Sequence, residues 1–172
     1  SHGTHVAGIA GGSGVATSGA YVGVAPNSEL VFCHLGGGAS GVVDAINYIF
    51  AYASSVGKPV VINMSLGTHI GPHDGTSLQD QMFNSLSGPG KILVGAAGNE
   101  GSTNLHASKV FNNDTTQTLI YFEDSQSNSG SGIIDIWGRP NSGFTIAVNV
   151  FNASGQYIGY TQYLNSWDNP SI

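Results

Sequence analysis

Two histidines stand three residues apart near the start of the chain, in "SHGTHVAGIAGG" (Ser1 to Gly12). If His2 opens a helix running through HGTHVAGIA, the partial positive charge at the helix start disfavours the imidazolium. The neutral ring left behind is what a general base needs. Gly3, Ala7, Gly8 and Ala10 carry almost no side chain, so another chain or backbone can come close. His5 lies one turn on, on roughly the same face. Two other readings fit the same residues: helix histidines that only satisfy hydrogen bonds, and a zinc pair, although no third ligand follows at a recognisable spacing.

A second candidate is "VGAAGNEG" (Val94 to Gly101). Asn99 comes where an apolar strand should end, and ligands of open α/β sheets sit at the carboxyl edge of the strands. Gly95, Ala96, Ala97 and Gly98 leave space beside it. An Asn amide can donate to a developing oxyanion, while an isolated Asn before Glu and Gly also reads as an ordinary turn residue.

Three weaker patterns lead elsewhere. Gly36, Gly38 and Gly41 in "GGGASG" match a dinucleotide fingerprint, but no acid falls between Asp44 and Asp74 where one would hold a ribose. His69, His73 and Asp74 cluster in "THIGPHDG", where Gly71 and Pro72 favour a solvated loop over a metal-binding helix. Cys33 is read as a small apolar filler in a buried strand.

The elements that must position these groups change character along the chain. Leu30 to Leu35 and Pro59 to Leu66 read as buried strands, and Lys91 to Gly98 as a third. Ser40 to Ser55 reads as a helix with Val42, Val43, Ile46, Ile49, Phe50 and Ala53 on one face. Leu78 to Leu86 reads as another, with Leu78, Met82, Phe83 and Leu86 facing in. Apolar strands separated by helices imply a parallel sheet covered on both faces. After Gly101, "TLIYF", "GIIDIWG", "GFTIAVNVF" and "QYIGYTQYL" alternate with turn formers, the pattern of an antiparallel β unit. The boundary is set between Gly101 and His106, giving a core over 1–101 and a β-rich subdomain over 102–172.

Composition narrows the function. Four Lys plus Arg in 172 residues, at a formal net charge of −6, cannot form a phosphate-tracking stripe, so nucleic acid is not an expected partner. One cysteine excludes an internal disulfide framework. No apolar run reaches the length of a membrane span, and no signal peptide is visible.

Taken together, "HGTHVAGIAGG", "GVAP" (Gly23 to Pro26), "VINMSLG" (Val61 to Gly67) and "GAAGNEG" resemble the subtilisin-like serine peptidases, the subtilases, in order and separation. The resemblance covers roughly Ser1 to Gly101. It implies a partial three-layer α/β core with a parallel sheet, followed by an inserted antiparallel β subdomain. It implies His2 as the triad histidine and Asn99 as the side-chain donor of the oxyanion hole, with His5 structural. It further implies that Ser65, Leu66 and Gly67 wall the first specificity pocket. Ala39, Ser40 and Gly41 would form the edge that pairs with an extended substrate, and Ala96, Ala97 and Gly98 would lie against that substrate beside Asn99.

The family's triad runs Asp, His, Ser along the chain. The Asp is expected upstream of His2. No Gly-Thr-Ser-Met-Ala-like nucleophile segment occurs, and Ser13, Ser40, Ser65 and Ser131 lack that context. The expectation is therefore a fragment of a serine endopeptidase that alone does not hydrolyse peptides. The resemblance implies a peptide or protein substrate in extended conformation, a propeptide as a further partner, no redox or metal cofactor, and secretion or a cell-surface location. Calcium is not expected in "GGSGVATSGAY", which has no acidic or amide side chain. The β-rich tail, with His106-Ala107-Ser108, is similar to the jelly-roll-like insertion of clostridial spore-germination proteases. Some of these have lost catalytic residues, so a non-catalytic pseudoprotease or protein-binding module is the competing reading.

Overall fold

A computed structural model of the chain describes residues 1–36, 39–121, 133–139 and 141–166. The elements run α1 (His2–Gly11), a 3-10 turn (Val15–Thr17), α2 (Ala39–Ser55), β1 (Val60–Met64), α3 (Leu78–Leu86) and β2 (Lys91–Gly95). Four short strands follow: β3 (Thr145–Ile146), β4 (Asn149–Phe151), β5 (Tyr157–Tyr160) and β6 (Leu164–Asn165). The chain divides into two units, Ser1–His69 with Gly75–Gln117, and Ile70–Asp74 with Thr118–Ile172.

The first unit is built on β1 and β2, which pair in parallel from Val60↔Lys91 to Met64↔Gly95. A parallel pair needs a crossover between its strands, and α3 lies on that connection. α2 puts Val42, Ile46 and Phe50 on one stripe at intervals of four, and the stripe packs on Ile62 of β1. Phe83 and Leu86 of α3 and Leu93 of β2 close around this cluster. α2 ends where Gly57 takes φ +65° and its N–H reaches the Ser54 carbonyl, and Pro59 blocks continuation. α3 starts at Ser77, whose side chain accepts the Asp80 N–H at 3.1 Å. The carboxylate of Glu29 binds the Tyr52 hydroxyl and the Lys58 ammonium, tying the Glu29 segment to the end of α2. Lys58 above all, then Tyr52, holds the Glu29 carboxyl below its ordinary range.

Four expectations need correction. Leu30 to Leu35 forms no strand: β1 pairs only with β2 among the described residues, and a segment without a ladder partner is not a strand. Phe32 is accordingly 69% exposed, and Cys33 is half-buried in a loop rather than filling a buried strand. Among the described residues the sheet is covered on one face only. Ile62 and Leu93 point to the helices, while Val61 is 62% exposed and Ile92 and Val94 are also exposed. In α3, Phe83 and Leu86 meet the core, but Leu78 is 82% exposed and Met82 is exposed too. A nine-residue helix that touches the core through its last turns leaves its first turn unburied. Finally, Thr118 to Tyr121 and Ile133 to Gly138 form no strand; Phe122 and Gly132 lie outside the described residues.

Among the described residues of the second unit, the four strands are the two arms of one antiparallel hairpin. Its rungs run from Thr145↔Asn165 and Ile146↔Leu164 to Asn149↔Tyr160 and Phe151↔Tyr157. Between the two ladders the Thr161 N–H donates to the Val148 carbonyl, and the Val148 N–H donates to the Thr161 hydroxyl. The "NASG" turn closes it: the Asn152 side-chain oxygen accepts the N–H groups of Ser154 and Gln156, and Gly155 takes φ +75°. Phe151 and Tyr157 meet edge to face across the turn end, with centroids 5.8 Å apart.

Ile46 is 2% exposed at the centre of the first unit. Ile46→Ala should cost about 2–5 kcal/mol in chemical denaturation, whereas Leu78→Ala should change stability by less than about 0.5 kcal/mol. Equal effects would show that α3 packs by its whole apolar stripe.

Candidate active site

His2 stands at the first position of α1, after Ser1 as N-cap. Ser1 does not cap with its side chain, which instead meets the Thr4 hydroxyl at 2.8 Å. The far end of α1 is fixed by close backbone approach. The "GVAP" segment lies against it, with Gly23 N–H to Gly12 O, Val24 N–H to Ile9 O and Ala25 N–H to Ala10 O at 2.8–2.9 Å. A Cβ on Gly23 would sit 2.4 Å from the Gly12 nitrogen, and one on Gly11 would sit 2.7 Å from Leu30. Gly23 thus lets the chain's own backbone lie against the end of α1 and Gly11 admits the Leu30 side chain, while Gly3 and Gly8 face open space.

The exposed His2 ring reaches across to the end of β1. Its Nε2 lies 3.1 Å from the Ser65 carbonyl oxygen. A carbonyl only accepts, so Nε2 donates in this contact. Ser65 follows β1 directly, and its own hydroxyl accepts from the Asn63 amide at 2.9 Å. Because β1 and β2 end in register at Met64↔Gly95, Ser65 and Ala96 leave the sheet side by side, and the Ala96 N–H continues the ladder to Met64 O at 3.1 Å. His2, Ser65–Gly67 and Ala96–Asn99 therefore gather at the carboxyl edge of the parallel pair. Leu66, Gly67, Ala97, Gly98 and Asn99 are all exposed there.

The Asn99 loop is shaped by its neighbour. Gly98 takes φ +95°, and the Asn99 N–H donates to the Glu100 carboxylate at 2.8 Å. The same oxygen of Glu100 lies 3.6 Å from His69 Nε2, on the loop that leaves Ser65–Gly67. Glu100 and the Ser65 carbonyl are the two groups that sequence reasoning missed. An acid directly after Asn and a positive-φ Gly was the available signal for the first. A backbone carbonyl leaves none.

Other singled-out residues fall elsewhere. Ala39, Ser40 and Gly41 open α2, so their backbone is helical rather than an extended edge. Gly38 of the glycine pattern lies outside the described residues. His69 and His73 are on a loop, with Gly71 at φ +119° and His73 at φ +51°. Among the described residues no group of three or more His, Cys, Asp or Glu is placed to hold a metal ion. Among them, too, no helix is long and apolar enough to cross a membrane.

A model of the subtilase family, peptidase S8, matches residues 1–172. The chain belongs to the subtilase family. It is 39% identical over 105 residues to "Subtilisin" of Bacillus sp. (strain TA39), covering 58% of this chain and 24% of that protein. It is 36% identical over 106 residues to the "Major intracellular serine protease" of Bacillus subtilis (strain 168), covering 58% and 30%. Against "Subtilisin DY" of Bacillus licheniformis it is 40% identical over 103 residues, covering 59% and 35%. The matched part thus spans about a quarter to a third of the length of these relatives. No solved structure matches the chain significantly. As a subtilase, the chain carries a mixed α/β arrangement with a small parallel sheet and small antiparallel sheets.

Gly23→Ala should cost about 1–3 kcal/mol, because the new Cβ meets backbone that has no room to yield. Amide exchange at Val24 and Ala25 should accelerate with it. Glu100→Ala should speed exchange at the Asn99 amide by about tenfold through loss of a charge-assisted bond, with Leu93 in β2 unaffected. Unchanged exchange at Asn99 would remove Glu100 from the shaping of that loop.

Proposed function

We propose that this chain supplies the general base and the oxyanion-stabilising side chain of a subtilisin-like serine endopeptidase. The reading rests on one observation above all: His2 is bonded to Ser65 at the carboxyl edge where Ala96 to Asn99 also emerge. In this reading the chain is part of a longer subtilase with a three-layer core. The exposed sheet face bearing Val61, Ile92 and Val94 is then covered in the whole protein, since an apolar face of a parallel sheet is ordinarily buried.

The mechanism assigns a role to each group. A serine elsewhere in the parent protein attacks the peptide carbonyl. His2 Nε2 takes the serine proton and later gives it to the leaving amine. An aspartate of the parent holds the Nδ1 proton of His2, which frees Nε2 to accept. The Asn99 side-chain amide and a backbone N–H stabilise the oxyanion. Ser65 to Gly67 wall the pocket for the residue before the scissile bond, and Ala96 to Gly98 lie along the substrate. The substrate is a peptide or protein segment in extended conformation. Ala39 to Gly41 can pair with that segment only if the first turn of α2 opens.

Fluorophosphonate labelling of the full-length parent protein, read by intact mass, tests this reading. The expected result is a single adduct that disappears in His2→Ala. A folded, propeptide-free parent that takes no adduct would instead assign the chain to a non-catalytic binding role.

A further inference from the structure

The stretch Ile70–Asp74 joins β1 to α3 in the chain, yet it belongs to the β-rich unit. The polypeptide leaves the first unit after His69, enters the second for these residues, and returns at Gly75. A specific contact holds it there. The Gly71 N–H donates to Asp135 Oδ2 at 2.6 Å, across 64 residues of sequence. The Trp137 indole also donates to the Asp135 carboxylate, and His73 from the captured loop faces it. Gly71 at φ +119° and His73 at φ +51° show a loop bent to fit rather than one in a relaxed extended path.

We propose that Asp135 is a positioning residue, a clasp by which the β-rich unit holds the loop that continues directly from Ser65–Gly67. Through this clasp the β-rich unit sets the course of the chain leaving the pocket wall and so tunes which side chain that wall accepts. The effect on substrate choice rests on the peptidase reading above. The clasp itself does not.

The groups facing the Asp135 carboxylate are the Trp137 indole, the Gly71 and Ile136 N–H groups, and His73. The indole first, then the Gly71 N–H, holds the carboxyl below its ordinary range. A group depressed in the folded state contributes stability above its unfolded pKa and loses it as pH falls through the folded one. The clasp is therefore strongest with the carboxylate ionised and weakens as the carboxyl is protonated in acid.

Amide exchange and carboxyl titration by NMR on this chain test the clasp. Asp135→Ala should speed exchange at Gly71 by about tenfold or more, while Thr161 in the hairpin keeps its protection. Fast Gly71 exchange with Thr161 intact supports the proposal, and unchanged Gly71 exchange overturns it. If Asp135→Ala also exposes Thr161, the decision passes to Trp137→Phe, which keeps the carboxylate and removes one donor. The Asp135 titration midpoint should then rise, and a midpoint that stays put overturns the proposal. In the parent protein, Asp135→Ala should shift relative kcat/KM among peptides differing before the scissile bond by about threefold, the scale of a modest contact change, with fluorophosphonate labelling retained. An unchanged ranking with Gly71 freed sinks the link to substrate choice, whereas loss of labelling in the unsubstituted parent sinks only the peptidase reading.

Discussion

The parallel register of β1 and β2 fixes the rest of the first unit. Met64 pairs with Gly95, so the two chains leave the sheet at one level, and the Ala96 N–H extends the ladder by one more bond. A slip of one residue would turn every side chain to the opposite face. Either Ile62 or Leu93 would turn away from the α2 core, and Ser65 would no longer stand beside Ala96. The packing of Ile46 and Phe50 on Ile62 therefore holds the geometry of the edge as well as the core. The His2 bond to Ser65 is a consequence of that placement, since Ser65 is the first residue beyond β1.

What was legible in the sequence follows from how local each cause is. The spacing of Val42, Ile46 and Phe50 is a property of nine consecutive positions, and α2 and α3 appear where the periodicity puts them. The β-branched runs at Val60 and Lys91 likewise become β1 and β2. Leu30 to Leu35 is likewise a short, mostly apolar run and yet forms no strand, because a strand is decided by its neighbour. The orientation of Leu78 was illegible for a related reason: periodicity gives a stripe, not how much of it reaches a partner. The four family stretches identified the family, but no local pattern could show that the Ser65 carbonyl meets His2 across 63 residues.

The β-rich unit shows the same division. Its turn was readable, since Asn152 with Gly155 carries its own hydrogen-bonding logic. Among the described residues the strands are shorter than the apolar runs suggested, and those present belong to one hairpin whose arms are joined through Thr161 where the ladder is interrupted. The capture of Ile70–Asp74 was invisible. Gly71 and Pro72 announce a loop, but only the fold brings Asp135 to the Gly71 N–H. A loop that looked merely solvated is thereby a member of the other unit.

The hydrogen bond at His2 bears directly on how such a histidine could act. Donation from Nε2 to a carbonyl places the ring proton on the nitrogen that a general base needs bare. In the proposed enzyme a carboxylate must draw that proton to Nδ1. The energetics favour the exchange. An exposed bond to a neutral carbonyl is worth about 0.5–1.5 kcal/mol net, while one to a charged acceptor is worth about 1.5–3 kcal/mol. A carboxylate at Nδ1 therefore outcompetes Ser65 for the neutral ring, and Nε2 is left to accept. Once Nε2 has taken the serine proton, the ring is an imidazolium with both nitrogens donating, and the Ser65 carbonyl is again close enough to accept from it. In this reading Ser65 does more than wall a pocket: its carbonyl offers a dipole to the charged form of the ring.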